Sequence, residues 1–550
     1  MDISSDETSR NSVKEFQEEL TTLIDAGAGI IHVRTHEPIR ASLEIRKIAL
    51  ADGFTVREWD VVNGFRDFTE DDIGSVVKRG DGNIDAMAAF ATPLDHIRDP
   101  GHARTRQYYV YVGLHPFMEN NPQMHYLVSL YGHILPAWDC PVILVTPDIP
   151  LPLDHESIMS VYFRPPGFEE LKVSLNSLIE PSRKDFPDGI DVEADGENKI
   201  CYVGAGLKQS DFEMYTALSI IKAGREGKTA IDTEDIIKGV AIGKTEIVRQ
   251  SEILELYPSG DMQNVGGMEN LKKWVARRRG CYSDEAREFG VEPPKGIVLV
   301  GVPGSGKSLI AKSISSELGV PLVRLDFGRV FNSLVGASEN RMRQALRQVE
   351  DMAPVVLLAD EVDKGLGGIG GGGDSGVSSR VLGSFLTWLQ DCKKPVFTIV
   401  TANNVTGLPP ELMRRGRFDA IFSTSLPTYK ERYDVLRIHL ALRGRDIEDF
   451  DKDDVDTLVK RLDGYVPAEI ESAVKDAIVD AFAGEEDLTI AHIESAVKAM
   501  VPLSKAFEQQ ITAMNEWAKN NATPAGATDD THLQSTSTAT RVMRRTRRGA

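Results

Sequence analysis

Short apolar runs and helix-length segments alternate along the first part of this 550-residue chain. Three runs rich in apolar and β-branched residues, GIIHVRT, QYYVYVGL and PVILVTP, lie at 29–35, 107–114 and 141–147. Segments with helical spacing separate them, for example at 39–51 and 123–135. Strands that alternate with helices predict a parallel sheet with crossover helices.

The alternation starts again at residue 296 and gives way to an almost wholly helical pattern from 429 to about 500. An acidic stretch at 233–256 is predicted as a helical connector, and the Ala-, Ser- and Thr-rich residues 521–550 are predicted to be disordered. We therefore predict six regions: a disordered leader over 1–13, a first α/β domain over 14–190, a helical linker subdomain over 191–255, a second α/β domain over 256–427, a helical domain over 428–505, and a C-terminal helix with a disordered basic tail over 506–550.

The charge balance restricts the partners that we expect. The chain carries 63 Lys and Arg against 83 Asp and Glu, a net charge of −20, so a chain-wide grip on nucleic acid or an anionic membrane is disfavoured. The four cysteines show no CxxC pairing, which fits a reducing compartment. The polar N-terminus and the lack of any run of about 18 apolar residues predict a cytoplasmic protein without a membrane partner.

Residues 301–308, GVPGSGKS, match the phosphate-binding motif GxxxxGK[ST] between an apolar strand at 297–300 and a helical segment at 309–318. In such a loop the backbone N–H groups surround the β-phosphate, and the helix N-terminus adds the positive end of its dipole. We expect Lys307 to contact the β- and γ-phosphate oxygens and Ser308 to ligate Mg²⁺. The predicted contacts with ATP are Gly301, Val302, Pro303, Gly304, Ser305, Gly306, Lys307, Ser308 and Leu309.

Two further strand ends carry polar residues suited to hydrolysis. The apolar run at 354–359 ends in Asp360 and Glu361, where the carboxyl edge of a parallel sheet would face the phosphates. We expect Asp360 to hold the water shell of the metal and Glu361 to orient and deprotonate the attacking water. Asn403 follows the strand at 396–400 and would hydrogen-bond the γ-phosphate or this water.

The turn LMRRGRFD at 412–419 concentrates guanidinium groups. At least one of them is expected to reach a phosphate. An arginine supplied in trans stabilises charge on the transferred phosphoryl group. If Arg414 and Arg417 do this, the active site is completed only at a subunit interface.

The order and spacing of these motifs over about 261–500 resemble the AAA family of ATPases. The resemblance implies a P-loop NTPase fold with a three-layer parallel sheet and a C-terminal helical lid, and a ring of subunits, usually six, that uses ATP to remodel or thread other macromolecules. It also implies roles for individual residues: Asn403 as sensor 1, Arg414 and Arg417 as arginine fingers, Val265 and Gly266 on the adenine side, and Ala468 at the small-residue position of the lid.

A more detailed resemblance covers about 15–520 and is to AAA proteins encoded in algal chloroplasts, cyanobacteria and some phages. Its markers include IIHVRTHEPIR, REWDVVNGF, GGMENLKKWVARR and a late VPLS followed by NEWAKNN. These relatives bring no well-defined substrate. If the gene is phage-encoded, the expected location is the host cytoplasm.

Three segments depart from the family pattern. Leu334 stands where threading ATPases present an aromatic pore residue, and the Gly-rich stretch 365–376 is either a second pore loop or a connector. In the first α/β domain, THEPIRA after the first strand has no glycine cradle, and the strand at 108–112 ends in Gly-Leu-His instead of Asp-Glu. We interpret this domain as a degenerate, non-hydrolysing relative of the same fold, used for assembly or partner recognition.

Two functional hypotheses remain open from the sequence. The first is an oligomeric, Mg²⁺-dependent ATPase that remodels a protein partner. The second is an ATP-gated scaffold or DNA-associated loader with little independent turnover. This hypothesis is supported by the arginines of the tail between Arg541 and Arg548, because they would neutralise the phosphates of a nucleic acid. A solvated tail without function is the other interpretation of these arginines. A catalytically dead protein is disfavoured because Lys307 and Glu361 are both present.

Overall fold

A computed structural model of the chain describes residues 12–69, 80–82, 84–98, 106–118, 121–135, 140–147, 158–186, 189–192, 194–251, 253–258, 260–282, 286, 289–331, 337–363, 375–405, 408, 410–414 and 416–526. The chain divides into two compact units, Met1–Glu246 and Ile247–Ala550. Within the described part of the chain, no helix has both the length and the apolar character needed to span a bilayer.

Six strands of the first unit form one sheet: β1 (Ile30–Arg34), β2 (Thr55–Asp60), β3 (Gly64–Phe68), β4 (Gln107–Val112), β5 (Val142–Thr146) and β6 (Ile158–Tyr162). Their order across the sheet is β3-β2-β4-β5-β1-β6, and only the β2–β3 pair is antiparallel. The helices of this unit are α1 (Ser12–Asp25), α2 (Pro38–Ala51), α3 (Ala86–Arg98), α4 (Pro122–Ile134), α5 (Phe168–Ser182), α6 (Ala194–Gly204), α7 (Gln209–Arg225) and α8 (Thr233–Gln250), which continues past Glu246. Two short strands, β7 (Ile190–Asp191) and β8 (Ile231–Asp232), pair with each other.

Alternating side chains of this sheet fill two cores, one on each face. Ile31 and Val33 pack with α1 and α2 on one face, and Ile30 packs with the aromatic side chains of β4 on the other. Burial on both faces explains why the central strands are almost continuously apolar.

The second unit contains a seven-stranded sheet: β9 (Leu254–Tyr257), β10 (Gly296–Gly301), β11 (Leu322–Leu325), β12 (Val355–Ala359), β13 (Val396–Ala402), β14 (Ala420–Thr424) and β15 (Thr523–Pro524). The order is β15-β14-β10-β13-β12-β11-β9, and β9 alone runs antiparallel to its neighbour. The helices are α9 (Glu269–Ala276), α10 (Lys307–Leu318), α11 (Phe327–Phe331), α12 (Ala337–Asp351), α13 (Ser375–Asp391), α14 (Tyr429–Ala441), α15 (Lys452–Arg461), α16 (Pro467–Ala483), α17 (Ile490–Ala499), α18 (Leu503–Ala506) and α19 (Glu508–Asn521). Helices α14 to α17 bury their own apolar core.

The predicted α/β class, with mostly parallel strands and a helical part after the second sheet, is confirmed. Three predictions about local structure are wrong. Ser12 and Val13, predicted to belong to the disordered leader, are the first two residues of helix α1. The connector helix predicted over 233–256 ends at Gln250, and Leu254–Tyr257 is strand β9, whose Glu255 faces Arg324 across the antiparallel pair. Not all of the stretch after residue 520 is disordered, because Thr523 and Pro524 pair with Phe422 and Ser423 of β14.

Several predicted features lie outside the described residues. These are the leader up to residue 11, Leu334 at the pore-loop position, residues 365–374 of the Gly-rich stretch, Arg415, and the basic tail between Arg541 and Arg548.

Candidate nucleotide-binding and hydrolysis site

Three neighbouring parallel strands bring the phosphate-binding loop, the two carboxylates and Asn403 together where these strands end. Strand β13 lies between β10 and β12, with Val300 opposite Ala402 and Ala359 opposite Val400. The phosphate-binding loop follows β10, the two carboxylates follow β12, and Asn403 follows β13. Because parallel strands end at the same edge, the three motifs converge there.

The glycines of the phosphate-binding loop meet two different requirements. Gly304 and Gly306 have φ values of 76° and 90°, in the left-handed region that favours glycine. Gly301 is needed for space, because a Cβ there would lie 1.8 Å from Thr424 Oγ1. Ser305 Oγ also lies 2.7 Å from Thr424 Oγ1, so the loop is fastened to strand β14.

Lys307 is buried inside the loop. Its Nζ donates to the carbonyl oxygens of Gly301 and Val302, each at 2.8 Å. Burial lowers the pKa of Lys307 to about 8, although the carboxylates of Asp363, Asp360 and Glu361 favour its charged form. A loop of backbone N–H groups around such an ammonium fits the phosphates of ATP, which would supply the charge that this buried cation lacks.

Ser308 and Asp360, the two predicted metal ligands, lie next to each other. The Ser308 hydroxyl lies 3.3 Å from each carboxylate oxygen of Asp360. Hydroxyl and carboxylate oxygens are the donors that Mg²⁺ prefers, so this pair fits Mg²⁺ together with ATP phosphates. Thr401, buried on β13, donates to Asp360 Oδ1 at 2.6 Å and accepts from the Glu361 backbone N–H at 2.8 Å.

Glu361 and Asn403 lie together, as the sequence predicts. Asn403 Nδ2 donates to Glu361 Oε1 at 3.1 Å, and Glu361 has a left-handed φ of 50°. Such a backbone conformation in a non-glycine residue is costly and is common at active sites. Asp363 accepts from the backbone N–H groups of Asn403 and Asn404 at 3.2 and 3.1 Å, so it fixes the end of β13 relative to Glu361.

The helical lid contacts both the phosphate-binding loop and the loop that is predicted to lie on the adenine side. Ala468, in the first turn of α16, donates its backbone N–H to the Gly304 carbonyl at 3.2 Å. Val265 is buried, and a Cβ on Gly266 would lie 2.6 Å from Val435 Cγ2 of α14. Of the remaining predicted contacts, Val302 is buried, whereas Pro303 and Leu309 are exposed.

Arg414 and Arg417 lie near the beginning of strands β10 and β14, at the opposite end of these strands from the phosphate-binding loop. Strand β14 starts at Ala420, next to Ile297 at the beginning of β10, whereas the phosphate-binding loop follows the end of β10. Strand β10 has six residues, so its beginning, near the arginine turn, is about 17 Å from its end, where the phosphate-binding loop starts. The turn is held there because Asp419 Oδ2 accepts from the Gly296 N–H at 2.9 Å. The structure therefore does not bring these arginines to the phosphate-binding loop of the same chain.

The two arginines differ in their contacts. Arg417 donates to the Glu411 carbonyl at 2.8 Å and lies 3.4 Å from Gln390 Oε1. Arg414 is exposed, and its guanidinium has no hydrogen-bond or ion-pair partner among the residues that the structure describes. It lines a cavity of about 410 Å³ together with Asp419, Ala420 and Lys519.

Sequence reasoning missed three residues at this site. Thr401 begins the segment TANN at 401–404, and Asp363 ends the segment DEVD at 360–363. Their hydrogen-bonding side chains next to the predicted catalytic residues were the available signal. Arg324 is a single charge in the apolar strand LVRL, and its Nε lies 3.7 Å from Asp360 Oδ2. A charge in a strand that pairs on both sides is the signal that could have identified it.

In the first unit, a carboxylate stands where the second unit has its phosphate-binding loop. Glu37 directly precedes α2, accepts from Arg40 Nη1 at 2.9 Å and from the Gln209 N–H at 2.7 Å, and is 8% exposed. Burial raises the pKa of Glu37, and Arg40 opposes this rise. An anionic phosphate would meet this side chain at the start of α2, in keeping with the interpretation of this domain as non-hydrolysing.

Comparisons with known proteins cover both units. Residues 297–426 match the family described as ATPase family associated with various cellular activities (AAA), and residues 16–162 match the SpoVK-like AAA ATPase, N-terminal domain. The chain is 30% identical over 511 residues to the uncharacterized AAA domain-containing protein ycf46 of Guillardia theta. The aligned region covers 92% of this chain and 95% of that protein.

Two other relatives are covered only in part. The ycf46 protein of Pyropia yezoensis is 40% identical over 277 residues, which is 50% of this chain and 56% of that protein. The cell division cycle protein 48 homolog of Archaeoglobus fulgidus is 28% identical over 292 residues, 51% of this chain and 38% of that protein. With the Guillardia relative matched over nearly its whole length, the chain belongs to the AAA family of ATPases and is an ATP-hydrolysing enzyme.

Proposed function

We propose that this protein is a Mg²⁺-dependent ATPase that assembles into a ring, expected to be hexameric, and whose active site is completed by Arg414 and Arg417 of a neighbouring copy. ATP turnover in the ring drives the remodelling of a protein partner. The observation that carries the proposal is the position of the arginine turn, which lies at the opposite end of the strands from the phosphate-binding loop.

Each residue of the site has a defined task in this proposal. Lys307 and the backbone of the loop bind the phosphates, and Ser308 and Asp360 would hold Mg²⁺, which supplies charge neutralisation when bound. Glu361 takes a proton from the attacking water, and Asn403 keeps the Glu361 carboxylate in position through its 3.1 Å hydrogen bond. Lys307 contributes one positive charge from the same subunit, and an arginine from the next subunit would supply a second for the charge that develops on the γ-phosphoryl group.

A mixing experiment tests the shared site. Glu361→Gln keeps the arginines but loses the base, and Arg414→Ala keeps the base but loses an arginine. We expect each variant alone to hydrolyse ATP at less than about a hundredth of the wild-type rate, because a general base contributes about 10²-fold or more and an arginine finger about 10³-fold or more. Mixed subunits restore part of the turnover, since interfaces form that contain one intact Glu361 and one intact Arg414.

Arg445→Ala is the matched control, because it removes an exposed arginine from the lid of the same unit. Undiminished turnover in Arg414→Ala, or a mixture as silent as its components, contradicts the shared site. Full turnover per subunit at concentrations where the wild type is monomeric contradicts the need for assembly.

The partner and the location complete the proposal. Its support is the family itself, whose members typically form oligomeric rings. Turnover that increases with a bound protein, and not with DNA, supports a protein partner. DNA stimulation that is lost on removing residues 541–550 supports the loader instead. We place the enzyme in the cytoplasm, in keeping with its four free cysteines.

A further inference from the structure

Arg324 connects the metal-binding carboxylate to the first strand of the second unit. It lies on β11, which pairs with β12 on one side and with β9 on the other. Its Nε is 3.7 Å from Asp360 Oδ2, and its Nη1 is 3.4 Å from Glu255 Oε2 on β9. One guanidinium is therefore shared by two carboxylates on different strands.

The surroundings of Arg324 place it near Asp360 without a hydrogen bond between them. Its guanidinium lies 5.5 Å from the ring centre of Tyr257, and Lys312 of α10 lies 4.7 Å from the same ring. The Nε is buried and, among the described residues, has no hydrogen-bond partner within bonding distance. The side chain is thus close to Asp360 without being locked to it.

We infer that Arg324 sets the metal affinity of the Asp360 site, and that Glu255 on β9 adjusts this affinity by competing with Asp360 for the guanidinium. The inference rests on the proposed function, because it takes Asp360 as a group that holds Mg²⁺.

The direction of the effect follows from the charges. A guanidinium at ion-pair distance from Asp360 weakens the negative potential that attracts a divalent cation, since like charges repel. Glu255 offsets part of this repulsion, because its Oε2 faces the Arg324 guanidinium at 3.4 Å while its Oε1 pairs with Arg329 Nη2 at 2.7 Å. Displacement of β9 would turn Arg324 towards Asp360 and weaken Mg²⁺ binding. The position of this strand is therefore coupled to the Mg²⁺ affinity of the Asp360 site.

The test measures Mg²⁺ binding without using turnover. A fluorescent ADP analogue is bound to the full-length protein, and Mg²⁺ is titrated from a chelator-buffered solution. For Arg324→Met, which keeps the length of the side chain without its charge, we expect the Mg²⁺ concentration at half-saturation to fall about fivefold. For Glu255→Gln we expect it to rise about twofold to threefold.

The double variant separates the coupling from simple damage. If Glu255 acts through Arg324, the double variant behaves like Arg324→Met alone, because there is no guanidinium left to redistribute. Independent effects of the two substitutions contradict the inference. The matched control is Arg279→Met, which removes the same charge from a pair with Glu317 near the far end of α10, about 14 Å along the helix from Ser308.

The outcomes distinguish this inference from the proposed function. If nucleotide binding by the wild type does not respond to Mg²⁺, the metal part of the proposed function fails. If the wild type responds but Arg324→Met binds Mg²⁺ equally or more weakly, the inference alone is overturned. Arg324→Lys, which retains a charge on a shorter side chain, is expected to stay within about twofold of the wild type, whereas a fivefold shift in this variant contradicts a charge effect.

Discussion

Thr401 offers the sharpest test of how the hydrolysis site is held in place. Its hydroxyl donates to Asp360 Oδ1 at 2.6 Å and accepts from the Glu361 N–H at 2.8 Å, so one side chain fixes both carboxylate residues. The substitution Thr401→Val keeps the β-branched shape on a buried strand and removes only the hydrogen bonds. It therefore changes the positioning of the site without opening a cavity.

The magnitude follows from the two contacts. A hydrogen bond to a charged group contributes about 1.5–3 kcal/mol, and an unpaired N–H in a partly buried place costs about 1–3 kcal/mol. We expect the free energy of unfolding to fall by about 2–3 kcal/mol. If about 2 kcal/mol of the lost interaction is felt in the transition state, turnover falls about 30-fold. The affinity for ATP changes little, because Lys307 and the loop backbone are untouched.

Steady-state ATP hydrolysis, nucleotide binding and urea unfolding measure these three quantities on the same protein. The control is Thr398→Val on the same strand, because Thr398 is buried but points to the other face of the sheet. The reasoning is refuted if Thr401→Val loses stability but keeps turnover within twofold. An equal loss of turnover in Thr398→Val would refute it as well.

Three further predictions concern other parts of the chain. Burial lowers the pKa of Lys307 to about 8, and the phosphates of ATP favour its charged form, so we expect ATP binding at pH 8 to take up about half a proton. Calorimetry in buffers of different ionisation enthalpy measures this uptake, and Lys307→Arg abolishes it. Burial lowers the pKa of His32 in the first unit from 6.5 to about 4, so the unfolded chain takes up a proton before the folded chain does and the free energy of unfolding decreases as the pH is lowered. Between pH 7 and pH 5 we expect a decrease of about 2 kcal/mol, measured by hydrogen exchange of β1 and absent in His32→Gln. Gly301→Ala places a Cβ 1.8 Å from Thr424 Oγ1 and lowers nucleotide affinity more than about tenfold in a binding titration, whereas Gly383→Ala, with nothing within 4 Å, leaves it unchanged.

The parts of the site that the sequence predicts are those in which a single motif determines the geometry. The phosphate-binding loop needs glycine at φ values that other residues avoid, so Gly304 and Gly306 mark it regardless of the rest of the fold. Asp360 and Asn403 follow apolar strands, and the rule that parallel strands end at one edge is enough to bring them together.

The parts that the sequence does not predict depend on pairing between distant segments. Strand β9 has only four residues, two of which are Glu255 and Tyr257, and its strand character comes from pairing with β11. Glu58 of strand β2 is buried with its charge balanced by a residue of another element, because Arg46 Nη2 of α2 donates to Glu58 Oε1 at 2.8 Å. Such contacts leave no period in the sequence that could be recognised.

Both outer strands of the second sheet contact elements of the nucleotide site. At one edge, β9 reaches Asp360 through Arg324. At the other edge, the residue after β15, Ala525, is buried, and its carbonyl accepts from the N–H groups of Asn270 and Leu271 at 3.0 and 3.2 Å.

These N–H groups lie in the first turn of α9, where the helix itself offers no acceptor, directly after the loop with Gly266 that is predicted to lie on the adenine side. The segment around Ala525 therefore serves as the cap that α9 lacks in its own sequence, because the residue before the helix, Met268, has no side-chain hydrogen bond to it. It also pairs with β14, the strand that follows the arginine turn. A displacement of β14 that moved this segment would withdraw the cap from α9 and loosen the adenine-side loop. The arginine turn and the adenine side of one chain are thus joined through a strand of two residues, in a stretch whose composition predicts disorder.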